Sequence, residues 1–172
     1  MPVTIATSAD AAELTLLVNT AYRGERSKIG WATEAHLLDG ARIDEATMTE
    51  YLADPAITIF KHKDDDGLIN ACVYLENQGD KLYLGMLSVM PELQAAGIGR
   101  LLLQEAEVIA QSLNLSVISI TVISLRTSLI DWYIRRGYVP TGELLPFHVD
   151  KKFGVPNTHI ELMVLEKPVS GI

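Results

Sequence analysis

Apolar positions fall into two rhythms along this chain, and their order predicts the fold. Leu82 to Val89 is an apolar run that reads as a buried strand, and the residues after Arg100 follow a helical period. That helix places Ile98, Leu102, Ala106, Ile109 and Leu113 on one face, toward a core. Val117 to Ile123 is a second apolar, β-branched run, the pattern of a central strand covered on both faces. Val3 to Ala6 predicts a short first strand. Ser8 or Asp10 caps a helix running to about Tyr22, with Leu14, Leu17 and Val18 inward. Arg23 to Arg42 carries Gly24, Gly30 and Gly40 and predicts a loop with a short helical piece. Asp44 caps a second helix through Leu52, which Asp54-Pro55 stops.

The next strands, Ile57 to His62 and Leu68 to Glu76, pair across Asp64-Asp65-Asp66-Gly67. That acidic run lacks the alternating ligands and closing Glu of a calcium loop, so it reads as a solvated turn. Asn77 to Asp80 turns again into Leu82 to Val89. Leu129 to Arg136 predicts a short helix ended by Gly137. Tyr138-Val139 opens a strand, Phe147 to Asn157 a loop, and Ile160 to Leu165 is the last strand. The order predicts a mixed α/β fold with a largely antiparallel central sheet and helices on both faces.

A glycine-bearing turn that opens a helix after a buried strand can hold an anion. The first helical N–H groups lack intrahelical partners, and the helix dipole favours negative charge there. Here the turn is Gln94-Ala95-Ala96-Gly97-Ile98-Gly99-Arg100. A dinucleotide fingerprint would need a small residue at Leu102 and an acidic residue in the following strand, and a phosphate loop would need Gly-Lys-Ser/Thr. Neither set is present. What remains, Gln-x-x-Gly-x-Gly after Ser88-Val89, resembles the acetyl-CoA signature of the GNAT N-acetyltransferase superfamily. A second motif agrees: Tyr133-x-x-x-Gly137-Tyr138 is similar to the helix that ends the family's CoA domain.

The resemblance implies a GNAT-like acyltransferase fold and acetyl transfer from acetyl-CoA, the cosubstrate, to a primary amine of a small molecule or peptide by direct attack. It implies that Leu87, Ser88 and Val89 pair with the pantetheine arm. It implies that Gln94, Ala95, Ala96, Gly97, Ile98, Gly99 and Arg100 hold the pyrophosphate. Tyr133 would protonate the departing thiolate; its other reading is a packed aromatic. Arg126 stands where the family often has Asn, and Leu129 where Ala is usual. Arg126 contacts the pantetheine, contacts a substrate carboxylate, or is a solvated helix-start residue; these readings stay open.

Trp31, Glu34 and Arg42 form a candidate acceptor set in the polar loop. Trp31 and Glu34 suit an amine and Arg42 a carboxylate; the alternative is a solvated loop. His36, His62, His148 and His159 share no spacing, so no base stands out. Cys72 sits among apolar neighbours and reads as core.

Bulk composition narrows the setting. The chain has 172 residues, 48% hydrophobic, which suits one domain with an ample core. No apolar run approaches the roughly 20 residues that span a bilayer, and one cysteine with no signal-peptide pattern points to the cytoplasm. A net charge of −8 argues against nucleic acid. It leans toward a cationic acceptor, although net charge also serves solubility alone. No metal set is visible, and a homodimer is compatible with the reading. The rival readings are a non-catalytic acyl-CoA-binding sensor or scaffold and a nucleotide-binding module.

Overall fold

Alternation within one strand decides the layering. Along Ile69–Asn77, Ala71, Val73 and Leu75 join one apolar cluster and Cys72 the other, as a side-chain period of two requires. The computed structural model describes residues 3–23, 27–28, 33–94, 96–147, 155–156 and 159–170. In it that strand, β4, is an inner member of a seven-stranded sheet. The others are β1 (Val3–Ile5), β3 (Ile57–Lys63), β5 (Leu82–Val89), β6 (Val117–Ile123), β7 (Val139–Pro146) and β9 (Glu161–Pro168), in the order β1-β3-β4-β5-β6-β9-β7. All neighbours are antiparallel except β5 and β6. Short strands β2 (Leu38–Asp39) and β8 (Val155–Pro156) pair separately.

Helices α1 (Ala11–Tyr22) and α2 (Glu45–Ala53) cover one face of the sheet, and α3 (Ile98–Ser112) and α4 (Thr127–Ile134) the other. Asp44 caps α2 as its position predicts, accepting from the Thr47 amide at 2.8 Å. The buried stripe of α3 differs from the expected one. Leu102, Leu103, Ala106 and Ala110 are buried, whereas Leu113 is 42% exposed. The helix stops at Ser112, and Asn114 turns the chain at φ 57°, which carries Leu113 off the inner face. The helical piece expected within Arg23 to Arg42 falls largely outside the described residues. No helix among the described residues is long and apolar enough to cross a membrane.

The parallel pair positions the site. β5 and β6 are in register only at Leu82–Ile118 and Tyr83–Ser119, and then diverge. The β4–β5 register shifts between Cys72 and Tyr74, and Met86 has φ 53°. A bulge of this kind bends its strand and locally increases twist. β5 therefore bends where it leaves β6, and its last residues lack a ladder partner on the β6 side.

Candidate active site

The bend of β5 delivers the chain into the glycine turn. Gly97 is the N-cap of α3 at φ 89°, and a Cβ built there would meet nothing within 4 Å. Its glycine requirement is conformational: the left-handed region is costly for any residue with a Cβ. Gly99 answers to packing instead, since its Cβ would sit 3.4 Å from Trp132 Cζ2 on α4. The two glycines thus do different work. One turns the chain; the other lies against Trp132 of α4, with room for a Cβ but not for a branched side chain.

Amides of Ile98, Gly99 and Arg100 begin the helix and have no carbonyl a turn earlier. The Leu101 amide is the first to reach one, at Gly97, 3.4 Å away. Ala96 donates its amide to Leu93 at 3.2 Å, so its donor is engaged within the turn. Gln94 Nε2 donates to the Val89 carbonyl at 2.9 Å and braces the turn against the strand. Ala95 lies outside the described residues. Ser88 is buried with its hydroxyl on the Met86 carbonyl at 3.0 Å, so its side chain points away from the turn.

Beside this turn lies a cavity of about 210 Å³, walled by Val89, Gly97, Gly99, Arg100, Trp132 and Arg136 among others. Arg136 stacks 3.8 Å over the Trp132 ring and donates Nη1 to the Trp132 carbonyl at 2.8 Å. Arg100 and Arg136 also wall an outer recess of about 300 Å³ together with Arg135 and Lys167. Burial, then repulsion from Arg100 and Arg135, lowers the Arg136 pKa. Cations are therefore concentrated here in a chain whose net charge is −8.

A second cavity, about 340 Å³, fills the gap between β5 and β6. Tyr22, Leu87, Leu129 and Tyr133 line both cavities, so the two spaces meet at those four residues. The Tyr22 hydroxyl donates to the Leu87 carbonyl. Tyr133 is 6% exposed and packs edge-on against Trp132 and Tyr138. Burial raises its pKa well above the ordinary 10.0, with smaller contributions from Tyr22 and Tyr138. The phenol carries its proton near pH 7, as an unshifted tyrosine also would.

Glu34 and Arg126 meet in this second cavity. Glu34 Oε1 accepts from Arg23 Nε at 3.0 Å, and Glu34 Oε2 accepts from Arg126 Nη1 at 3.2 Å. All three side chains are at most 10% exposed. Arg126 is thus not a solvated helix-start residue: it lines the larger cavity and lies 5.8 Å from the Tyr22 ring centroid. Arg42 lines the same cavity and is half-buried. Trp31 and His148 lie outside the described residues. His62 is buried against Asn70 Oδ1 at 2.7 Å, whereas His36 and His159 are exposed. Burial pushes the Cys72 thiol up to about 12, consistent with a place in the core. Among the described residues no three His, Cys, Asp or Glu groups cluster as metal ligands.

Sequence reading missed Tyr22, Arg23 and Trp132. Trp132 carried a usable signal, because Arg136 stands four residues on, on the same helix face, a spacing that suits cation–π stacking. Tyr22 and Arg23 carried none, since their partners come from distant segments.

The family model described as an acetyltransferase (GNAT) domain matches residues 32–148. Solved structures share the fold at low sequence identity. The ribosomal-protein-S18-alanine N-acetyltransferase from Escherichia coli is 13% identical, with a TM-score of 0.73 over 99% of this chain and 95% of that one. A ribosomal-protein-alanine N-acetyltransferase from Brucella melitensis is 18% identical, with a TM-score of 0.74 over 98% of this chain and 100% of that one. A Salmonella typhimurium protein assigned as an acetyltransferase, solved with its cofactor acetyl-CoA, is 17% identical, with a TM-score of 0.73 over 100% and 95%. No curated protein is significantly similar in sequence.

Proposed function

Because this chain belongs to the GNAT acetyltransferase family, we propose that it moves an acetyl group from acetyl-CoA to a primary amine of a small molecule or peptide, with residues 1–172 acting as one catalytic domain. The observation that carries the reading is the meeting of two cavities at Tyr22, Leu87, Leu129 and Tyr133. One cavity has helix amides and arginines suited to a phosphorylated donor. The other is enclosed by β5, β6 and the acceptor-side loop.

The donor site fits acetyl-CoA by its chemistry. Gly97, Gly99 and the free first-turn amides of α3 present donors to a pyrophosphate. Arg100 and Arg136 add charge there, and Arg135 continues it outward, whereas Lys167 in the same recess is paired with Glu107. The unladdered end of β5, through Leu87 and Val89, offers backbone groups to an amide-rich arm, although Tyr22 already occupies the Leu87 carbonyl. A β5 amide can also stabilise the oxygen of the attacked carbonyl. The thioester supplies an acyl carbon open to amine attack.

Tyr133 would then deliver its proton to the sulfur as the carbon–sulfur bond breaks. The phenol holds its proton at neutral pH beforehand, and the tyrosinate left behind recovers one from solvent. The amine nitrogen, neutral at attack, sheds a proton as the amide forms. The products are an N-acetylated amine and free CoA thiol.

A thiol-release assay across an amine panel tests transfer, and thermal shifts with acetyl-CoA, ATP and NAD test the donor site. Stabilisation by acetyl-CoA alone with amine-dependent thiol release is the expected result. Stabilisation without release from any amine would replace the enzyme by an acyl-CoA sensor. A shift with ATP or NAD but not acetyl-CoA would discard the donor assignment.

A further inference from the structure

The cavity between β5 and β6 carries an unexpected charge for an acidic chain. Its described lining includes three guanidinium groups, from Arg23, Arg42 and Arg126, against one carboxylate, Glu34. Both Glu34 oxygens are already engaged, one by Arg23 at 3.0 Å and one by Arg126 at 3.2 Å. Glu34 is therefore spent on the protein's own arginines and is poorly placed to receive a substrate ammonium.

Arg42 differs from the other two. Its backbone is pinned, because Asn19 Oδ1 accepts from the amides of Arg42 at 2.7 Å and Ile43 at 3.1 Å. Its guanidinium has no carboxylate within ion-pair distance among the described residues. A half-buried guanidinium, rooted on a fixed backbone and facing a cavity of about 340 Å³, is a receptor for an anion. One planar fork, with no second cation outside the Glu34 cluster among the described lining residues, matches a monoanionic carboxylate better than a phosphate dianion. Much of the remaining wall is apolar or aromatic, including Tyr51, Tyr83 and Phe147, with the Thr47 and Thr121 hydroxyls among it, and suits the body of a small organic molecule.

We propose that the acceptor is an amine that also bears a carboxylate, an amino acid in the broad sense, with Arg42 holding the carboxylate and the amine directed toward Leu87 and Tyr133. The assignment rests on the acetyl-transfer reading for the role of the amine, and on the cavity alone for the anion.

Matched acceptors test it: leucine against leucinamide and 3-methylbutylamine, phenylalanine against its amide and phenethylamine, and 5-aminopentanoate against pentylamine. Phosphoethanolamine is added as the phosphate probe. In wild-type protein, at least one carboxylate member should exceed its uncharged counterparts in kcat/KM by about 10- to 100-fold, the range of a charge-assisted hydrogen bond. Arg42→Ala should bring that ratio close to one, and Arg42→Lys should retain part of it. Each ratio is internal to one protein, so a general loss of folding does not imitate the result.

Equal or better use of the uncharged amines overturns the proposal. So does a preference that survives Arg42→Ala, or a preference for phosphoethanolamine. Calorimetric titration of the same acids into CoA-loaded protein supplies a second readout. Binding that Arg42→Ala abolishes supports the anion site even if no thiol is released, an outcome that would sink acetyl transfer instead. Absence of both turnover and binding for every carboxylate overturns the proposal.

Discussion

Replacing Glu34 by Gln should destabilise the protein more than a loop position would suggest. The substitution keeps the side-chain shape but removes the negative charge that both Arg23 and Arg126 contact, whose side chains are 5% and 7% exposed. Two like charges would then remain in a site nearly closed to water. Breaking a buried ion pair by removing one partner costs about 3–5 kcal/mol. The lower end applies here, because the Gln oxygen still accepts one hydrogen bond. For a chain of this length each kcal/mol moves Tm by about 2–4 °C, so Tm should fall by roughly 6–12 °C.

Calorimetry or a urea titration of wild type and Glu34→Gln measures the loss, and added salt should restore little of it, since burial limits screening. A cycle with Arg126→Met separates pair energy from packing. The double variant should lose less than the sum of the single losses, because the stranded charge goes with its partner. A Tm within about 1 °C of wild type, or strictly additive losses, would refute a closed Arg23–Glu34–Arg126 cluster.

Gly97→Ala should cost about 1–2 kcal/mol by chemical denaturation, since φ 89° strains any Cβ although space is open; a neutral result would contradict the left-handed N-cap. Gly99→Val should instead displace Trp132 and raise the acetyl-CoA dissociation constant in a folded protein, with Gly99→Ala nearly neutral; equal affinity in the Val variant would remove Gly99 from the site. Tyr133→Phe should lower turnover by roughly 10²-fold with little change in acetyl-CoA affinity, read from steady-state rates and titration calorimetry. Stability should fall as pH rises past about 9–10. Burial holds the Tyr22 phenol up to about 12, the Cys72 thiol likewise, and raises Tyr133 well above its ordinary value. The unfolded chain then releases protons that the native state keeps, so each such group costs up to about 1.4 kcal/mol per pH unit until its native pKa is reached. Urea midpoints that stay flat through this range would count against burial of those groups.

The sequence by itself determined what depends on near neighbours. β5 and β6 follow from continuous apolar runs, and the helix after Gly99 from a helical stripe. The Asp44 cap and the Gly97 turn follow from side chains acting on backbone groups within one turn. Two motifs placed the chain in its family because strand, turn and helix are contiguous in sequence. Even there the local reading erred at Leu113, where the end of the helix decided exposure, and it did not anticipate that Trp132 would lie against Gly99.

Only the tertiary structure decided the larger cavity. Arg23 and Arg126 meet Glu34 across sequence separations of 11 and 92, and Tyr22 reaches Leu87 across 65. No periodicity encodes such meetings. They exist because β5 and β6 part after two pairs of residues, opening a cavity that distant segments must close. That closure turned Glu34 inward onto two arginines and left Arg42 facing the space. A chain with net charge −8 thereby holds a cationic cavity, since net charge sums the whole surface while a site is built by the few side chains that converge on it.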